Sequence, residues 1–87
     1  MTPMEAATKV RDMLVHIYGT VETTDLMLWD AEKSAEMGYG NGEATLVWEG
    51  APVFDWAIEI SMSRGVLNMP GIFAEPYNGH ILNFYAI

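Results

Sequence analysis

The sequence predicts an α+β fold, with one or two helices packed on one face of a three- to four-stranded antiparallel sheet. Three patterns carry that expectation. Apolar residues recur at helical spacing near the N-terminus, apolar and polar residues alternate through residues 43–62, and a second alternating run closes the chain after an Asn-Gly pair. With 87 residues, 51% of them hydrophobic, the chain can bury one modest core, so residues 1–87 are read as a single domain.

The first element is written in its caps. Thr2 is an N-cap residue, Pro3 suits the first helical position, and Glu5 completes a capping box. Ala7, Val10, Leu14 and Ile17 then fall on one face, Glu5 and Lys9 stand one turn apart on another, and Gly19 follows as a C-cap. A helix over 3–18 follows. Residues 20–29 admit two readings. The β-branched residues there suit a strand leading into a short helix from Asp30. Alternatively, Thr24 caps a helix running to Met37, which would put Trp29 among Asp25, Glu32 and Glu36. In both readings 30–37 is helical and Gly38 ends it.

Gly38-Tyr39-Gly40-Asn41-Gly42 spaces its glycines too regularly for a phosphate-binding loop and reads as a connection. Ala44, Leu46 and Trp48 alternate with Glu43, Thr45, Val47 and Glu49. After Gly50-Ala51-Pro52, Phe54, Trp56, Ile58, Ile60 and Met62 alternate with Val53, Asp55, Ala57, Glu59 and Ser61. This predicts a hairpin in which Trp48 faces Phe54, Leu46 faces Trp56 and Ala44 faces Ile58, with the helix 3–18 packed on that aromatic face. Beyond Arg64-Gly65 the chain is punctuated by Pro70-Gly71 and Pro76, and Asn78-Gly79 marks a tight turn. His80 to Ile87 reads as a strand with apolar residues at both parities, as a central strand requires.

The formal charge of −8 lies in one block. Glu22, Asp25, Asp30, Glu32, Glu36, Glu43, Glu49, Asp55 and Glu59 stand against Lys33 alone, while the flanking segments are balanced. A pI near 4.3 sets this surface against nucleic acid and acidic lipid as direct partners. No apolar run approaches the ~20 residues of a membrane span. The N-terminus lacks signal-peptide character. The expected compartment is cytoplasmic. Cysteine is absent, which removes thiolate chemistry and Cys-based metal sites.

The hairpin register would place Glu43, Glu49, Asp55 and Glu59 on one outer sheet face, with Glu43 opposite Glu59. Nothing matches a calcium-binding loop, so no metal or other cofactor is expected. Carboxylates on an open face lack the cleft that acid–base catalysis needs. Asp12 and His16 form a surface i,i+4 pair, and Ser34, Ser61 and Ser63 lack a nucleophile signature, so no catalytic residue is assigned. The expected function is a non-enzymatic interaction module that binds a basic protein through Trp29, Glu32, Glu36, Glu43, Glu49, Asp55 and Glu59. Its sharpest form is an inhibitor of a nucleic-acid-binding complex whose carboxylates stand in for phosphates. Small acidic phage inhibitors of restriction or CRISPR systems work in that way, and the chain is similar to them in size and charge alone. The alternative is a small ligand-binding or accessory domain whose acidity serves solubility.

Overall fold

The computed structural model describes residues 1–38, 42–49 and 69–87. Helix α1 spans Pro3–Tyr18, and its capping box is closed in both directions: Glu5 N–H donates to Thr2 Oγ1 (3.1 Å) and Thr2 N–H donates to Glu5 Oε1 (2.9 Å). Glu5 therefore turns back to the cap instead of forward to Lys9. Asp12 takes Arg11 at 3.2 Å in place of the expected His16. Gly19, at φ 88°, ends the helix. A threonine-rich turn follows, in which Thr23 donates its hydroxyl to the Gly19 carbonyl.

The strand reading of the ambiguous segment is the one that forms. Strand β1 is Leu26–Asp30, and helix α2 is Ala31–Met37. Asp30 serves both, since its Oδ1 accepts from Lys33 N–H (2.8 Å) and caps α2. Gly38 adopts the left-handed conformation (φ 76°, ψ 24°) that stops α2, a position where any Cβ would be strained.

Strand β2 (Ala44–Trp48), strand β3 (Ile72–Asn78) and strand β4 (Ile81–Ala86) complete an antiparallel sheet in the order β1-β2-β4-β3. β2 pairs with β1 on one edge (Leu28 opposite Leu46) and with β4 on the other (Leu46 opposite Leu82). Both its edges are thus occupied, which corrects the hairpin expected between 43–49 and 53–62. Residues 53–62 themselves, with Phe54, Trp56 and Ile58, lie outside the described residues. The correction has a simple cause: period-two alternation identifies a strand and its faces but not its neighbours.

The C-terminal strand is central and buried on both faces from Ile81 to Phe84, as its two-sided apolar pattern requires. Asn78-Gly79 makes the turn into it, with Asn78 Oδ1 accepting from His80 N–H at 2.8 Å. β3 is a strand that the sequence reading missed. Pro76 disguised it, yet an edge strand tolerates proline, and the pairing shifts register between Pro76 and Asn78.

Parity assigns the two sheet faces. Leu26, Leu28, Ala44, Leu46, Trp48, Ile72, Ala74, Leu82 and Phe84 pack with Ala6, Ala7, Val10 and Leu14 of α1. Tyr18 meets Trp48 edge-on at 5.3 Å, and Trp48 Nε1 donates to Asp25 Oδ1 at 3.0 Å. The odd positions face the opposite side, and α2 lies there, because buried Ser34 reaches Thr45. The α+β class stands, with α1 and α2 on opposite faces of the sheet.

Candidate functional site

The odd face opens with a buried polar relay. Thr45 Oγ1 donates to Asn83 Oδ1 at 2.7 Å, and Ser34 Oγ lies 2.7 Å from Thr45 Oγ1. A threonine hydroxyl has one proton; with that proton committed to Asn83, Ser34 must be the donor. The relay therefore runs from α2 through β2 into β4, and all three residues are fully or almost fully buried. Gly42 makes room for it. A Cβ there would stand 2.5 Å from Asn83 Oδ1 and 3.0 Å from the Ala44 carbonyl oxygen. Among the described residues no buried side-chain nitrogen or oxygen lacks a partner.

Beyond Asn83 the same face becomes exposed. Cross-strand register sets Glu75 beside Asn83 and Phe73 beside Tyr85, and those two rings stack at 6.2 Å and 29°. Phe73 and Tyr77 are each 50% exposed, a high value for such rings. Partial burial, then the negative charge of Glu75, raises the Tyr85 phenol above its ordinary 10.0, while the Asn83 side chain opposes the shift. Tyr77 reaches toward the end of α2, its hydroxyl 3.4 Å from the Gly38 carbonyl oxygen. The result is an aromatic surface, Phe73, Tyr77 and Tyr85, built around the Glu75 carboxylate.

The residues expected at the site fare unequally. Trp29 lies in β1 opposite Thr45, half-buried, rather than on a helix among Asp25, Glu32 and Glu36. Lys33 Nζ sits 5.9 Å from its ring centroid, so a cation of the chain itself occupies a position assigned to a partner. Glu32 and Glu36 are exposed and lie on the side of α2 opposite buried Ser34. Glu43 and Glu49 are exposed at the two ends of β2, and Glu43 Oε2 accepts from Ala86 N–H at 2.6 Å. Asp55 and Glu59 lie outside the described residues, as does the opposition of Glu43 to Glu59. The open acidic sheet face expected at odd positions does not exist along β2, where Thr45 and Val47 are buried and Ser34 of α2 packs on Thr45.

What replaces it is a wider acidic side. Glu32 and Glu36 of α2 stand on the same side of the sheet as Glu75, which pairs with Asn83 of the relay. The ion pair formed among the described residues, Arg11–Asp12, involves none of them. Phe73, Glu75, Tyr77 and Tyr85 were missed in sequence, although Phe73-x-Glu75-x-Tyr77 is itself a period-two pattern.

Compared with family models, curated proteins and solved structures, the chain finds no match in any of the three. No helix among the described residues is long and apolar enough to cross a membrane, and no three carboxylate or histidine side chains among them gather as metal ligands would.

Proposed function

We propose that this protein is a non-enzymatic interaction module that binds a basic protein through the side of the sheet on which α2 lies. The observation that carries the reading is the placement of α2 opposite α1. It sets Glu32 and Glu36 on the same side as Glu75, while Lys9 and Arg11 belong to the helix on the other face and Lys33 of α2 is turned over the Trp29 ring. Among the described residues Glu32, Glu36 and Glu75 stand against Lys33 on this side, which leaves it net negative, and such charge speeds encounter with a positively charged partner.

A nucleic-acid-binding protein is the narrower form of that partner, since its groove already selects for regularly placed negative charge. Inhibition would then follow from occupancy of the groove, with no chemistry required.

The test is calorimetric titration of the full chain with a mixed Arg/Lys peptide at low and high salt. Affinity should fall with salt, and E32K/E36K should weaken binding by about tenfold at low salt. Unchanged affinity in that variant would overturn the reading. For the narrower form, a basic partner bound to this protein should lose its grip on duplex DNA or RNA; a ternary complex would refute mimicry.

A further inference from the structure

We infer that the recognition centre of this acidic side is the edge-strand surface of Phe73, Glu75, Tyr77 and Tyr85, and that it takes arginine side chains of the partner. The inference rests on the proposed function and adds a place and a residue type to it. Phe73 and Tyr85 stack on each other, and half of the Phe73 surface remains open to solvent. An open aromatic ring beside a carboxylate matches guanidinium, which lies flat on a π face while its edge N–H groups donate to oxygen. Glu75 supplies that oxygen two residues along the same strand face, diagonal to Tyr85 in the β3–β4 register. Lysine, a point charge with a tightly held hydration shell, gains less from such a surface.

Charge selects the occupant. Exposed rings on an edge strand also suit pairing with a second copy, but each copy carries −8, and the patch is bordered by Glu75 and, across from Tyr85 by the β2–β4 register, Glu43. Two such faces repel one another, whereas an arginine-bearing partner is attracted to both the rings and the acids. The surface is also held firmly from below. Asn83 lies next to Glu75 in the pairing and is fixed by Thr45 and Ser34, so the patch has a rigid base.

The experiment compares an arginine-rich and a lysine-rich peptide of equal length and charge, titrated into the full chain and its variants. The arginine peptide should bind several-fold more tightly, and F73A and E75Q should each reduce its affinity by about three- to tenfold while narrowing the difference between peptides. Both side chains are exposed, and an unchanged thermal transition confirms that each variant is folded. If F73A and E75Q leave arginine-peptide affinity unchanged while E32K/E36K abolishes it, the recognition centre is misplaced and the basic-partner reading survives. If neither peptide binds at low salt, both fail. Concentration-dependent dimerisation removed by F73A would identify a second copy as the occupant and overturn the inference.

Discussion

The two faces of the sheet are built on different physics. The face toward α1 is apolar, and its energy comes from burying Leu46, Leu82 and Phe84 against Ala6, Ala7, Val10 and Leu14 of the helix. The face toward α2 also buries the pair Val47 and Ile81, but it adds a line of hydrogen bonds through Ser34, Thr45 and Asn83, with exposed aromatics beyond them. Apolar burial is forgiving of detail, whereas a buried polar relay works only if every member is satisfied. The difference teaches that one sheet can be packed by apolar burial alone on one face and by apolar burial together with a satisfied polar relay on the other.

The sharpest way to break this comparison is in the apolar face. Phe84→Ala removes the largest fully buried side chain among the described residues and should cost about 3–5 kcal/mol in urea unfolding, enough to unfold a small domain in part. On the polar face, Asn83→Ala leaves the Thr45 hydroxyl without its acceptor, and a loss of about 1–3 kcal/mol is expected. Gly42→Ala should cost a similar amount, about 1–3 kcal/mol, because the new Cβ meets a side chain locked by its own hydrogen bond. The two substitutions should not add: shortening Asn83 removes the collision, so Gly42→Ala should be milder in the Asn83→Ala background. Additive costs in that double-mutant cycle would show that Gly42 is glycine for some other reason.

Asp30→Ala removes the N-cap of α2 and should cost about 1 kcal/mol, read as a lowered thermal midpoint with the α1 face intact. The smallest effect is a titration. Burial and Glu75 hold the Tyr85 phenol neutral, so its folded value lies above 10.0. The associated stability is present below the unfolded value and disappears as pH rises through the folded one. Tyrosinate absorbance should therefore show a late component that Tyr85→Phe removes, and Glu75→Gln should shift it down without abolishing the shift, since burial is the larger cause. An unmoved titration would separate Glu75 from the aromatic patch.

Much of the fold was legible because it is local. The Thr2–Glu5 box, the stop at Gly38, the Asn78-Gly79 turn and the two-sided burial of residues 81–84 all follow from short-range chemistry. The candidate site was far less so. Glu32 and Glu36 could be named from charge, but Phe73, Glu75 and Tyr77 lay behind Pro76, whose presence argues against a strand unless that strand is at an edge. Edge and centre are properties of the assembled sheet.

By itself, then, the sequence determined the α+β class, the span of α1, the strand character of 44–48 and the excess of carboxylates between Glu22 and Glu59. These depend on periodicity, caps and composition, which each segment carries alone. Only the tertiary structure decided that β2 lies between β1 and β4, that α2 crosses to the face opposite α1, and that Trp29 meets Lys33. Strand order and helix placement depend on which buried surfaces fit together across long separations, such as Thr45 with Asn83. No local pattern encodes that fit, so Glu32 and Glu36 could be named from the sequence while the face of the sheet they stand over could not.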